Sequence, residues 1–162
     1  MPEAWDFTGL GDIRIAGRYQ FAVGAADSAR PQTVGLLFGL KLPTGDTDRT
    51  NDDGEEAERS LQPGTGTTDP FLGAYYQIQF PASGISLFAQ GAYAFPLNSY
   101  DDYQPGDRFT VNLGLRYEFT EHLALLLQVN AQWRGRDSGA QGEPDDSGGK
   151  FVFISPGLSV MV

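Results

Sequence analysis

The amino-acid sequence predicts an all-β fold of antiparallel strands, and three observations lead to this prediction. Apolar and polar residues alternate with a period of two along several stretches, which is the pattern of a strand with one apolar face. Short turns and long polar loops alternate between these stretches. The sequence also contains 21 glycines and 10 prolines, which are frequent in turns. Its 162 residues suit a single domain that spans residues 1–162.

Seven stretches carry the alternation, and each predicts one strand. The first four are residues 12–23, 34–42, 72–80 and 84–95, with apolar series such as Ile13, Ile15, Tyr19, Phe21 or Leu72, Ala74, Tyr76, Ile78. The clearest is the fifth, residues 108–119, where Phe109, Val111, Leu113, Leu115, Tyr117 and Phe119 alternate with Thr110, Asn112, Gly114, Arg116 and Glu118. Residues 123–134 repeat this pattern. In the last stretch, residues 151–162, Pro156 interrupts the pattern because proline removes a hydrogen-bond donor from the ladder.

The connections between the strands differ in length in a regular way. Residues 81–84 and 120–122 form short turns, whereas residues 43–70, 96–108 and 137–150 form long loops that hold 15 of the 21 acidic residues. Short turns at one end and long loops at the other are typical of outer-membrane β-barrels, whose long loops are extracellular. The sequence therefore predicts an antiparallel up-and-down transmembrane β-barrel of the outer-membrane type, with about seven strands in this segment.

The aromatic residues favour a membrane barrel over a soluble one. On the predicted topology they form two groups on the apolar face, with Tyr19, Phe21, Phe80, Tyr117 and Phe119 at the short-turn end and Tyr93, Phe95, Phe109 and Trp133 at the long-loop end. Two aromatic girdles around an aliphatic band are expected where a barrel crosses a bilayer. We therefore expect localisation in the bacterial outer membrane, in contact with its lipid and lipopolysaccharide. A soluble lipocalin-like barrel that binds lipid stays an alternative, because the period does not distinguish inside from outside.

Composition and charge argue against several other classes. The formal net charge of -10 offers no cationic surface for nucleic acid. The absence of cysteine excludes disulfides and thiolate metal sites. No stretch is long and apolar enough for a transmembrane helix, which needs about 20 residues. The first residues show no signal peptide, so we expect this chain to be an internal segment of a longer barrel.

The polar face of the predicted strands supplies the candidate functional residues. We predict that they line the lumen of the barrel: Arg14, Arg18, Lys41, Gln77, Gln90, Asn112, Arg116, Glu118, Gln128, Asn130 and Arg134. Basic residues outnumber acidic ones in this set, and cationic rings in a pore favour anions. The alternative is that these cations pair with carboxylates on neighbouring strands and plug a narrow barrel.

No motif in the sequence indicates catalysis, a metal or a cofactor. His122 is the only histidine and lies in a predicted tight turn, without the neighbouring serine that an outer-membrane lipase would need. The acidic residues 46–58 lack EF-hand spacing, because Thr50 stands where a ligand would be required. The glycine-rich residues 64–69 lack the lysine of a phosphate loop. We expect a protein that is not an enzyme and has no cofactor.

Several motifs resemble a known bacterial family along nearly the whole chain. The most specific are LKLPTGD at residues 40–46, PGDR at 105–108 and WRGRD at 133–137, followed by FISPGLS near the end. They are similar to outer-membrane proteins of the meta-cleavage (MetA) pathway of phenol degradation. The resemblance implies an outer-membrane barrel involved in uptake of hydrophobic or aromatic compounds. The leading hypothesis is therefore a passive channel or carrier for small organic solutes. The alternatives are a structural or adhesive barrel with a plugged lumen, or the soluble barrel above.

Overall fold

A computed structural model describes residues 8–23, 29–51, 54–142 and 144–160. These residues form one antiparallel sheet in which each strand pairs with the next along the chain. The seven strands are β1 (Ile13–Val23), β2 (Gln32–Leu42), β3 (Asp69–Phe80), β4 (Ile85–Ala94), β5 (Arg108–Thr120), β6 (Leu123–Arg134) and β7 (Gly149–Val160). The prediction of an all-β, up-and-down antiparallel fold is confirmed. In the described ranges, no helix is sufficiently long and apolar to cross a membrane.

The strand bounds agree with the alternation except at a few ends. Strand β3 begins at Asp69 rather than at residue 72, and β7 begins at Gly149 rather than at residue 151. Pro156 lies within β7, opposite Leu127 of β6. Within the described sheet β7 pairs on one side only, and proline inside a sheet is found mainly on such strands. Residues 161 and 162, which the sequence assigned to this strand, lie outside the described residues.

The pairing register divides the side chains between two faces of the sheet. Directly paired residues share a face, and successive residues of a strand alternate between faces. The polar face comprises the even-numbered residues of β1, β4, β5 and β6 and the odd-numbered residues of β2, β3 and β7. The opposite, apolar face carries the predicted aromatic groups; for example, Tyr93, Phe109 and Trp133 follow one another across three strands.

The sheet is curved, with the polar face on its concave side. Arg14 of β1 and Arg134 of β6 line the same cavity, although five strand spacings would separate them by about 24 Å in a flat sheet. The side chain of Arg18 on β1 likewise reaches Tyr75 on β3, with 2.7 Å between Nε and Oη. Within the described residues β1 and β7 do not pair with each other, so the sheet has two free edges.

Most of the buried side chains belong to the long loops rather than to the strands. Leu72 and Leu113 of the apolar face are 63 % and 49 % exposed, and many other large apolar residues of this face are exposed too. In contrast, the long loops contain Thr67, Tyr103 and Asp137, which are 0 %, 2 % and 2 % exposed. The apolar face therefore has no cover within the described chain, while the loops have a packed interior of their own.

Aromatic rings lie flat against glycines on the polar face. Gly35 is paired directly with Tyr75, and Gly114 is paired with Phe88. A Cβ atom added to Gly35 would be 2.1 Å from a ring carbon of Tyr75, and one added to Gly114 would be 1.8 Å from a ring carbon of Phe88. Glycine inside a strand often marks such a close approach. In these pairs the large aromatic side chain lies against the backbone of the sheet and occupies less of the space on the concave side.

Candidate functional site

The concave polar face holds all the residues that the sequence proposed for the lumen. The register places on this face Arg14, Arg18, Lys41, Gln77, Gln90, Asn112, Arg116, Glu118, Gln128, Asn130 and Arg134. Gln90, Asn112 and Asn130 lie side by side on β4, β5 and β6. The structure separates the rest into a group near the long loops and a group near the short turns. That they line a lumen stays a prediction.

A cavity of about 690 Å³ occupies the long-loop end of the concave face. Its charged lining residues are Asp12, Arg14, Lys41, Arg59, Asp69, Arg108 and Arg134. Loop residues such as Pro63 and Tyr103 cover it from the outer end. The cavity is thus formed jointly by strands and loops, and cations predominate in its lining.

Lys41 is neutralised inside this lining. Its ammonium lies 3.3 Å from a carboxylate oxygen of Asp12 and 2.6 Å from one of Asp69, and the residue is buried. The ammonium also donates to the hydroxyl groups of Thr65 and Thr67. A buried cation is tolerated only when it is paired and hydrogen-bonded, and both conditions hold here.

Asp12 connects the first strand to the loop between β2 and β3. Its carboxylate accepts hydrogen bonds from the backbone N–H of Gly45 at 3.0 Å and from the N–H and hydroxyl of Thr65 at 3.1 and 3.0 Å. Burial alone would raise the pKa of Asp12, but these hydrogen bonds and the charge of Lys41 lower it below its ordinary value of 3.8. Asp12 is therefore an anion that ties the base of this loop to the start of β1.

Asp137 forms a second buried anchor. It is held by Arg134, whose Nη2 lies 2.9 and 2.8 Å from the two carboxylate oxygens. It also accepts from the hydroxyl of Tyr103 at 3.0 Å and from the N–H of Gly106 at 2.8 Å. Burial, together with the charge of Asp137, raises the pKa of Tyr103 to about 12. This network joins the end of β6 to the loop between β4 and β5.

Arg59 joins all three long loops. Its Nη1 donates to the carbonyl oxygen of Thr47 at 2.6 Å, its Nη2 forms an ion pair with Asp101, and its Nε donates to Gln141 at 3.3 Å. A backbone bridge between Gln104 and Ser138 adds a further connection. We call the described parts of residues 43–68, 95–107 and 135–148 the loop cap. It is an ordered, cross-linked structure over the long-loop end of the cavity.

A second cavity, of about 630 Å³, lies at the short-turn end of the same face. Arg116 and Glu118 form an ion pair there, with 3.1 Å between Nε and the carboxylate. Phe88 and Leu126 supply apolar surface, and Gln128 supplies an amide. Its charges are balanced within the lining. This end has fewer charged lining residues than the end below the loop cap.

Several residues of the site were not in the predicted set. Arg108 lies on the polar face, and its even number on the same strand as Asn112 and Arg116 would have assigned it there. Arg59 and Tyr103 belong to loops, where no period indicates a direction. Their positions depend on contacts with other loops, which single-sequence patterns do not reveal.

Three of the motifs that carry the family resemblance lie where strand ends meet the loop cap. In WRGRD, Arg134 pairs with the buried Asp137, and in PGDR, Gly106 donates its N–H to Asp137. In LKLPTGD, the hydroxyl of Thr44 accepts from the N–H of Ile13 at 2.8 Å. These three motifs therefore have a structural role in the contacts between strand ends and loops.

The remaining sequence candidates lie away from the cavities or act as structural groups. His122 is exposed in the turn between β5 and β6, where its N–H donates to the hydroxyl of Thr120. In the acidic segment at residues 46–58, a hydrogen bond from Arg49 lowers the pKa of Asp46. Residues 52 and 53 of this segment lie outside the described part of the chain. Over the described residues, no three side chains of His, Cys, Asp or Glu come together as a metal site would require.

The fold and this face define an all-β class: an up-and-down antiparallel sheet with an exposed apolar face, a polar concave face and long loops gathered at one end. The model of the family described as "Putative MetA-pathway of phenol degradation" matches residues 5–162. The chain belongs to this family, as the sequence motifs predicted. The family name connects it with the degradation of phenol. No match was found among curated proteins.

Proposed function

We propose that this chain forms the wall of a passive conduit for small organic solutes, aromatic compounds among them, in the bacterial outer membrane. The observation that carries the proposal is the opposite character of the two faces. One face is apolar and exposed from edge to edge, and the other is polar and contains two cavities. A continuous apolar surface on a strand protein is stable when lipid covers it, and the polar face then borders water.

The aromatic residues of the apolar face support the membrane assignment. Tyr117 and Phe119 pack edge to face near the short-turn end, with ring centroids 4.6 Å apart. Phe109 and Trp133 pack at the other end, with centroids 5.6 Å apart. The ten residue steps from Phe109 to Phe119 rise about 33 Å, or roughly 23 Å for a strand tilted near 45°. That height matches the apolar band of an outer-membrane barrel.

The proposal includes no catalytic step. The two cavities are lined by arginines, carboxylates, amides and aromatic rings, and His122 contributes to neither lining. Such side chains can select and guide a solute by charge and stacking. The family name, which refers to phenol degradation, supports aromatic compounds as solutes.

One observation favours a second candidate, a barrel whose lumen is closed. The loop cap covers the long-loop end, and Lys41 and Arg134 are engaged in internal ion pairs rather than free in the cavity. In this candidate the exposed acidic loops carry the function, as a structural or adhesive surface.

Single-channel conductance in planar lipid bilayers separates the two candidates. We expect discrete conductance steps from the purified full-length protein and none from detergent alone. The matched variant is Arg59→Ala, which removes the side chain that joins the three loops. A silent wild type together with a conducting Arg59→Ala variant would establish the closed barrel instead. A protein that stays monodisperse without detergent and does not insert would contradict both.

A further inference from the structure

The cavity below the loop cap contains more positive charge than its own carboxylates neutralise. Three of its five cations have partners: Lys41 with Asp12 and Asp69, Arg59 with Asp101, and Arg134 with Asp137. The other two are Arg14 and Arg108. Among the described residues, no carboxylate lies within ion-pair distance of either guanidinium. In the described chain, neither guanidinium forms an ion pair of its own, and the five cations of the lining exceed by one the four carboxylates that line the cavity or pair with them.

The hydrogen bonds in this region are also incomplete. The Nε atoms of Arg108 and Arg134 are buried and have no hydrogen-bond partner within the described chain. These two arginines are direct cross-strand neighbours on β5 and β6. Like charges that face each other across a strand pair are unfavourable, and buried donors without partners are costly. An anion in the cavity beside Arg108 would offset the repulsion between the two guanidinium groups.

The remainder of the lining is suited to a small apolar body. Phe71 lies on the polar face and lines the same cavity, with its ring over Gly39 of β2. Ala16, Ala92 and Pro105 border the same space. The volume of about 690 Å³ lies in the range of small-molecule sites, roughly 300–1,000 Å³. The cavity therefore has sufficient volume for one aromatic ring with a short substituent.

We infer that this cavity is a binding site for small aromatic carboxylates, with the carboxylate accepting hydrogen bonds from Arg108 and Arg14 and the ring packed against Phe71. Guanidinium groups bind carboxylates well because their donors match the two oxygens in a plane. This inference rests on the proposed function, because it names the class of solute that the conduit would hold.

Isothermal titration calorimetry of the purified full-length protein in detergent at low ionic strength tests the inference. The probes are benzoate, benzyl alcohol, acetate and inorganic phosphate. We expect saturable binding of benzoate, and binding of both benzyl alcohol and acetate weaker by about ten-fold or more. Equal binding of benzyl alcohol would show that charge is irrelevant, and equal binding of acetate or phosphate would show an unspecific anion site. Either result, or no binding of benzoate, would overturn the inference.

Two variants and a matched control locate the site. Arg108→Gln and Arg14→Gln should each weaken benzoate binding by about ten-fold, whereas Arg136→Gln should leave it within about two-fold. Arg136 is an exposed loop arginine paired with Asp145, so its loss removes one charge without reaching the cavity. Arg14 is exposed on the edge strand, so its variant should fold even if the Arg108 variant does not. Unchanged binding in the Arg14 variant, or equal loss in the control, would contradict the site.

Binding and conduction fail independently in these experiments. Equilibrium binding in detergent requires no open pore, so a closed barrel could still bind benzoate. Conversely, conductance steps without benzoate binding would leave the conduit standing and remove only the solute class.

Discussion

Two arginine–aspartate pairs near the end of β6 show that burial determines how much an ion pair contributes to stability. Arg134 and Asp137 are 2.8 Å apart, and Arg136 and Asp145 are 2.9 Å apart. The side chain of Asp137 is 1 % exposed, whereas that of Asp145 is 97 % exposed. Exposed ion pairs contribute little, since water and salt screen them, but an unpaired buried charge is strongly unfavourable.

Asp137→Asn should therefore open the loop cap, and Asp145→Asn should not. We expect the first change to lower the free energy of local opening by about 2–3 kcal/mol, because the partly exposed Arg134 recovers some hydration. The control, Asp145→Asn, should change the free energy of local opening by no more than about 0.5 kcal/mol. Hydrogen exchange of the amides in residues 135–142, followed by mass spectrometry, measures both values. Similar exchange in the two variants would show that Asp137 is not an anchor.

Tyr103 gives the loop cap a dependence on alkaline pH. Its pKa is raised to about 12 by burial and by Asp137, above the value of about 10 in an unfolded chain. The folded state thus binds more protons between these values, so the stabilisation is complete below about pH 10 and is lost as the pH rises towards 12. The loss approaches roughly 3 kcal/mol for a shift of about two pKa units. Tyrosinate absorbance, compared between wild type and Tyr103→Phe, should reveal one tyrosine that ionises late. If the difference titrates near pH 10, the hydroxyl is not buried as described.

At the scale of the strands, glycine allows the aromatic ring of its cross-strand partner to lie close to the backbone of the sheet. Gly114→Ala places a Cβ atom 1.8 Å from a ring carbon of Phe88, so the ring must leave its position. Gly91→Ala meets its nearest neighbour, the carbonyl oxygen of Thr110, at 4.0 Å. We expect the first variant to lose about 1–3 kcal/mol in the free energy of unfolding, and the second to be neutral within about 0.5 kcal/mol. Urea unfolding in detergent measures both, and equal effects would mean that the ring is not held against the glycine.

The strands could be predicted from the sequence because one physical rule dominates them. Alternation identified all seven, and it also placed Arg14 and Arg134 on one face. Alternation does not identify strand ends whose residues lack the period of two. Asp69 and Pro70 begin β3 through pairing with the end of β2, which gives no periodic signal. In β7, Phe151 and Phe153 lie on the polar face and Val152 and Ile154 on the apolar face, so the first half of this strand shows no alternation of polarity.

The loop cap could not be predicted in the same way. Its residues have no shared period, and its contacts join positions far apart in the chain, such as Arg59 with Gln141. The sequence showed these loops as acidic and polar, which suggests solvated segments. The structure shows that a few charged residues within them are buried and paired, which only a three-dimensional arrangement can disclose.

At the scale of the whole molecule, apolar residues are exposed and the packed interior consists mainly of polar loop residues. A water-soluble domain of this size would place its apolar face inside, because burial contributes about 25 cal/mol per Å² of apolar surface. The described chain instead leaves Leu72 and Leu113 uncovered. In the proposed conduit, lipid covers this face and the two cavities border the aqueous path.

The most direct test of this account is a nitroxide scan along β5. The sequence contains no cysteine, so single cysteines at positions 109–117 can be introduced and labelled one at a time in the full-length protein in lipid vesicles. Electron paramagnetic resonance then measures how oxygen, which concentrates in lipid, and a water-soluble nickel complex reach each label. We predict that oxygen contact peaks at positions 111, 113 and 115, and that nickel contact peaks at 110, 112 and 116. A reversed phase, or equal nickel contact at odd and even positions, would contradict the claim that the apolar face borders lipid.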